Sequence, residues 1–294
     1  IRDNMTTSKI MLMVVIALLP ASAFGIYNFG VPALIMLIST TASAVLTEYI
    51  YEKLMHKKIT IGDYSAVVTG LLLGLNMPPT APWWMGALGS VFGILIVKQL
   101  FGGLGQNFMN PALGARCFLL ISFTSQMTTF VYDGVTGATP LALLKSGKAV
   151  NSMDMLIGTI PGTIGETSVI AILIGAIILI LLGVITLRIP AAYLITFAVF
   201  MLIFGKEPMN ANYLVAELCG GGLMLGAFFM ATDYVTSPMS KNGMLVYGVG
   251  IGILTTVIRL FGSYPEGMSF AILIMNAFTP LINSYIKPKH FGGK

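Results

Sequence analysis

The chain has 294 residues, 56% of them hydrophobic and only 9% charged, with a mean hydropathy of +0.89. So little polar surface cannot cover a soluble globule, so the chain reads as one all-α, polytopic membrane protein with lipid as its solvent. The net charge of +5 needs no nucleic-acid partner if the basic residues gather on one side of a bilayer.

In chain order, the first apolar run, Ile10 to Phe24, has the character of a signal-peptide core. No A-x-A-like cleavage site with a polar sequence follows it, and another span begins within a few residues, so it reads as a retained span. About ten transmembrane helices are expected, centred near Val14, Ile38, Leu71, Gly93 and Phe118, and then near Ala176, Val199, Leu223, Gly250 and Ala277. They divide into a first repeat over about 9–125, a connecting loop over about 125–167, a second repeat over about 168–286 and a tail, 287–294. Cys117 and Cys219 both fall in apolar stretches, where a thiol acts as a small hydrophobe, so no metal site is expected.

The two halves echo each other. Gly70-Leu-Leu-Leu-Gly74 has a counterpart in Gly222-Leu-Met-Leu-Gly226, Leu100-Phe101-Gly102 in Leu260-Phe261-Gly262, and Met109-Asn110-Pro111 in Met275-Asn276. Copies an odd number of spans apart lie upside down to one another, which predicts two inverted five-helix repeats whose broken helices meet inside the membrane. Their polar ends would converge in pairs, Gln106–Pro111 with Thr232–Pro238 on one side and Asn76–Thr80 with Met275–Pro280 on the other. Each segment alone is equally an ordinary Asn- or Pro-marked helix end.

An even span count puts both termini on one side. That side holds Arg2, Lys9, Lys53, Lys57, Lys58, Lys98, Arg188, Lys241, Lys287, Lys289 and Lys294, against Lys145, Lys148, Lys206 and Arg259 on the other. The positive-inside rule makes the termini cytoplasmic and sets the 125–167 loop on the outer face.

That loop carries the most informative run in the chain, Asp133-Gly134-Val135-Thr136-Gly137-Ala138-Thr139-Pro140-Leu141. Taken alone it is ordinary turn chemistry. As a whole it resembles the acceptor at which a flavin transferase joins FMN through its phosphate to a threonine hydroxyl, with Thr139 the acceptor and Thr136 a neighbour. Small Gly137 and Ala138 would let the transferase approach the backbone closely. With Asn107-x-x-Asn110-Pro111 and Thr232-Asp233-x-Val235-Thr236-Ser237-Pro238, the run makes the whole chain similar to a family of redox-complex membrane subunits. It comprises the D subunit of the Rnf ion-translocating ferredoxin:NAD oxidoreductase and the B subunit of sodium-pumping NADH:quinone reductase. The short stretch before the first span, Ile1 to Ser8, favours the Rnf type.

The resemblance implies a bacterial inner-membrane electron relay that works with other subunits of its complex and pumps Na⁺ or H⁺. It implies covalent FMN at Thr139, near Asp133, Gly137 and Ala138. It also implies a noncovalent riboflavin near the cytoplasmic side, touching Asn107 and Asn110, with Thr232, Asp233, Thr236 and Ser237 across the repeat. Asn suits such a site because it donates and accepts hydrogen bonds without a charge. No Gly-x-Gly-x-x-Gly fingerprint follows a strand, so NADH is expected to react on another subunit.

Acids within spans are costly and so are candidates for an ion pathway, here Glu48 and Glu217. The ordinary alternative for Glu48 and Glu52 is pairing with Lys53 at a helix end. Arg116 equally suits a flavin phosphate or open helix-end carbonyls. A solute channel or transporter is the competing function, because inverted repeats with broken helices build those too, and a scaffold protein is a third. Neither has a use for the Asp133–Thr139 run.

Overall fold

The computed structural model describes residues 5–132, 135–148, 150–262 and 266–287. Asp133, Arg2, Lys289 and Lys294 lie outside the described residues, as does the tail beyond Lys287.

The first half runs through α1 (Thr7–Phe29), α2 (Val31–Leu54), α3 (Ser65–Leu75), α4 (Trp83–Phe92) and α5 (Pro111–Ser122). The connection holds α6 (Thr124–Thr128), a two-stranded hairpin of β1 (Phe130–Tyr132) and β2 (Val135–Gly137), α7 (Pro140–Lys145) and α8 (Ser152–Ile157). The second half comprises α9 (Val169–Leu181), α10 (Arg188–Phe204), α11 (Ala211–Cys219), α12 (Leu223–Leu225), α13 (Lys241–Phe261) and α14 (Met268–Tyr285). All ten expected centres fall in helical segments of this all-α fold.

Among the described residues, α1, α2, α13 and α14 are the helices long and apolar enough to cross a bilayer alone, and α11 with the segment from Leu223 to Met230, bent by 63°, forms a broken span or a re-entrant loop. The rest are shorter because polar punctuation stops them. Asn110 ends the loop before α5 by accepting from Ala112 N at 3.0 Å and Leu113 N at 3.2 Å, while Asn210 caps α11 and Ser168 caps α9 through their side-chain oxygens. α1 packs on α9 across the two halves, α2 on α3 and α4, and α10 on α13. Lipid offers no hydrophobic drive between helices, so these contacts rely on small residues: a Cβ at Gly175 of α9 would overlap Ala17 O, and one at Gly252 of α13 would come within 2.9 Å of Tyr193 O.

Two stretches are wound as π-helix, Gly93–Gln99 continuing α4 and Gly226–Met230 continuing α12. The connection is also less of an open loop than its sequence suggests. Residues 158–168 turn back among the helices, and Ile164 N donates to Met77 O at 3.0 Å and Gly165 N to Leu75 O at 2.7 Å. These bonds satisfy carbonyls that the end of α3 leaves open, which a buried helix end requires.

Two cavities joined by helix α5

One cavity, of about 760 Å³ including its open mouth, lies between the starts of α3 and α5 and the ends of α9 and the second π segment. Asn107, Asn110, Thr232 and Asp233 all line it, beside the rings of Phe228 and Phe229 and the side chain of Lys98. The residues named from the sequence on both halves are thus brought to one place. Asn107 Nδ2 donates to Met109 O at 3.0 Å, and the Asn110 carbonyl oxygen is engaged in capping α5. Thr236 and Ser237 stand behind the wall: Thr236 Oγ1 donates to Asp233 Oδ2 at 3.1 Å, and Ser237 N donates to Asp233 O at 3.0 Å. Burial pushes the Asp233 carboxyl up from its ordinary value.

The other cavity, of about 860 Å³ including its open mouth, is lined by Thr139, Ala138, Arg116, Glu266, Ser269 and Phe270 among others. Thr139 is the N-cap of α7, and its Oγ1 accepts from Ala142 N at a long 3.4 Å. Gly137 and Ala138 before it are exposed, and nothing lies within 4 Å of a Cβ placed on Gly137. Arg116 donates from Nη1 to Asn76 Oδ1 at 3.1 Å and Ser269 Oγ at 2.8 Å, and pairs through Nη2 with Glu266. Its Nε is buried with no partner among the described residues. Arg116 therefore serves the broken helix at Asn76 and faces the Thr139 cavity as well. Both cavities border α5: Asn110 and Ala112 line the first, and Arg116 and Leu120 the second. With a rise of about 1.5 Å per residue, the step from Ala112 to Arg116 separates the two walls by roughly 6 Å along the helix.

Two ion pairs carry no local signature in the sequence. Glu48, fully buried, does not pair with Lys53; its Oε1 accepts from Lys98 Nζ at 2.6 Å and Gln99 Nε2 at 2.7 Å. Glu52 instead accepts from Thr60 N at 2.8 Å. Glu217 pairs with Arg259 at 2.9 Å. Lys98 and Arg259, which the charge count treats as loop residues, are therefore buried partners of acids. Glu166, which nothing in the sequence singled out, is buried where residues 158–168 turn inward, accepting from Thr163 Oγ1 at 2.8 Å and Gly221 N at 3.2 Å. The signal that could have found Lys98 is its position in an apolar run, seven residues past Val91, where a charge must have a buried partner.

Fold and cavities together define a polytopic all-α membrane protein with broken, π-wound helices around two ligand-sized cavities, one flanked by a loop threonine. The chain belongs to the NQR2, RnfD, RnfE family, whose pattern matches residues 1–292. It is 50% identical to the D subunit of the Na(+)-translocating ferredoxin:NAD(+) oxidoreductase complex of Acetobacterium woodii, over 99% of this chain and 93% of that protein. It is 43% identical to the D subunit of the proton-translocating ferredoxin:NAD(+) oxidoreductase complex of Clostridium ljungdahlii, over 99% and 94%. It is 38% identical to the D subunit of the ion-translocating oxidoreductase complex of Stutzerimonas stutzeri, over 98% and 92%.

Proposed function

We propose that the chain is an electron-relaying, flavin-bearing subunit of an ion-translocating ferredoxin:NAD oxidoreductase complex, with FMN joined through its phosphate to Thr139 Oγ1. The relatives' names support the complex, with Na⁺ or H⁺ as the translocated ion. The observation that carries the flavin is that Thr139 shares one cavity with a buried guanidinium whose Nε has no partner among the described residues. A phosphoester is an anion, and a planar guanidinium is the side chain best suited to hold one. The exposed Gly137 and Ala138 would give a flavin transferase access to the backbone beside Thr139, whose own side chain is buried at the cavity.

A second, noncovalent flavin, riboflavin, would occupy the Asp233 cavity. Phe228 and Phe229 offer an apolar slot for a ring system, and the amides of Asn107 and Asn110 offer donors to its polar edge. Bound flavin supplies one- and two-electron transfer; the chain's own part is to orient it and exclude water. Both termini would be cytoplasmic and Thr139 outside, in a bacterial inner membrane, with the other members of the complex as partners.

Denatured chain from a host that has the flavin transferase should fluoresce in a gel, and Thr139→Ala should abolish that signal while the protein still inserts. Covalent flavin retained by Thr139→Ala overturns the attachment site. Thr136→Ala should keep the flavin.

A further inference from the structure

Thr139 sits where the active site of a second protein cannot close on it. Its side chain is only 7% exposed, on the wall of the cavity it shares with Arg116, and its Oγ1 is turned back to cap α7. The mouth of that cavity admits a ligand, not the walls of an enzyme cleft. Four contacts hold α7 over the acceptor. Leu141 and Leu144 are buried, and Leu141 lies against Gly220 and Gly221, where α11 breaks before α12. Lys145 Nζ donates to Gly262 O at the end of α13, and Lys206 Nζ donates to Lys145 O.

We infer that Thr139 receives its flavin on an opened form of the chain, in which α7 has left its seat on α11 and α13, and that α7 then closes over the finished ester. The inference rests on the proposal that Thr139 is the attachment site. Transfer needs a flavin nucleotide with a phosphoanhydride as donor. Thr139 Oγ1 attacks the flavin-side phosphorus in line with the departing group, the Oγ1–P bond forms as the P–O anhydride bond breaks, and the nucleoside monophosphate leaves with the electron pair. The hydroxyl proton passes to a base of the transferase. Such an attack needs the hydroxyl free and open to the donor from one side, which the closed seat denies. Opening supplies both. A helix of six residues does not hold itself together in water, so α7 melts once undocked, and Oγ1 is released from its cap. The stretch from Gly137 to Leu144 then becomes an extended chain that a transferase cleft can take. Its surroundings suit this, since nothing lies within 4 Å of a Cβ placed on Gly137 before α7 or on Gly147 after it. The lysine bonds at the rim are solvated, so Leu141 and Leu144 are the main hold, and openings of this local kind cost far less than global unfolding. Closing returns both leucines to the core and sets the ester on the wall opposite Arg116.

A disulfide across the seat tests this. A Cβ placed on Gly220 falls 2.8 Å from Leu141 Cγ, close to the about 3 Å between a cysteine Cβ and the far sulfur of a disulfide, and Gly220 has an ordinary φ of −93°. Leu141→Cys with Gly220→Cys, in a chain whose Cys117 and Cys219 are replaced by Ala, should therefore lock α7 down. The full chain is made without flavin transferase, purified in detergent, and incubated with the transferase and flavin adenine dinucleotide; covalent flavin is read by in-gel fluorescence over time. The oxidised pair should be labelled at least tenfold more slowly than the same protein with dithiothreitol, while the wild type ignores the reductant. Leu144→Ala, which loosens the seat outside the Asp133–Leu141 run, should be labelled at least threefold faster than wild type at limiting transferase. Equal labelling of the oxidised and reduced pair overturns the inference. So does a wild-type rate in Leu144→Ala, which decides alone if the cysteine pair fails to fold or takes no flavin when reduced. A wild-type chain that takes no covalent flavin, or a Thr139→Ala chain that does, overturns the attachment site and the inference with it.

Discussion

Arg259 Nη1 lies 2.9 Å from Glu217 Oε2 while Nη2 lies 2.8 Å from Gly220 O, so one guanidinium neutralises an acid of α11 and closes the open end of that helix. Arg116 does the corresponding work in the first half, reaching Asn76 at the end of α3. Each broken helix thus depends on an arginine two helical segments further along the chain. Both breaks also draw on residues 158–168, through Gly165 N donating to Leu75 O and through Glu166 Oε1 accepting from Gly221 N.

This arrangement predicts a sign for stability. Removing one partner of a buried pair strands the other charge, at a cost of about 3–5 kcal/mol, whereas replacing both costs far less. Arg259→Met should therefore unfold at clearly lower temperature in detergent than Arg259→Met with Glu217→Met. Equal melting of the single and double variants would show that the pair is not what holds the break closed.

The structure also refines how the Asp233 cavity should be probed. Because the Asn110 carbonyl oxygen caps α5, Asn110→Leu removes both the cap, worth about 1 kcal/mol, and the amide donor. Asn110→Ser keeps a capping oxygen but loses the amide. Asn110→Ser should then melt like the wild type and yield less extractable riboflavin per chain, and adding Asn107→Leu should empty the site while Thr139 remains flavinylated. Full riboflavin in that double variant would leave both asparagines with purely structural roles.

Much of this was readable from sequence because lipid makes the code strict. Charge scarcity fixed the class, and the centres from Val14 to Ala277 all fall in helical segments. Asn107, Asn110, Thr232 and Asp233 could be grouped in advance because the internal repeat relates the ends that carry them. What stayed hidden was the partner of each buried charge. Glu48 lies 50 residues from Lys98, a distance over which no local pattern speaks, and the nearer Lys53 offered a plausible helix-end pair. The π segments were equally silent, since their winding depends on tertiary packing and not on residue type. The inward turn of 158–168 was concealed by its composition: Gly, Thr and Pro read as solvated loop, although here their backbone donors meet the open carbonyls of α3.

Packing of the two halves makes a third prediction. Where α1 crosses α9, Gly175 leaves no room for a Cβ beside the Ala17 backbone. Gly175→Ala would ordinarily favour a helix by up to about 1 kcal/mol, but overpacking costs about 1–3 kcal/mol, so the net change should be destabilising. Thermal unfolding in detergent should show a lower midpoint for Gly175→Ala, and no such drop for Gly137→Ala, where a Cβ meets nothing. A stabilised Gly175→Ala would mean that the two helices do not approach as closely as described.

The orientation in the bilayer gives the last prediction. With Lys98 and Arg259 recognised as buried partners, they no longer report on which side is cytoplasmic, and one residue drops from each side of the charge count. The remaining loop and terminal charges keep the same asymmetry, so the positive-inside rule still predicts α1's start in the cytoplasm and Ser146 outside. Ser146, after α7, and Lys287, after α14, are both exposed and suit single cysteines. The native Cys117 and Cys219 are buried and are removed to leave a clean background. In intact cells an impermeant thiol reagent should label Ser146→Cys and spare Lys287→Cys, with the pattern equalised after the membrane is permeabilised. Labelling of Lys287→Cys alone would invert the topology, moving Thr139 to the cytoplasmic side and the Asp233 cavity to the outer one.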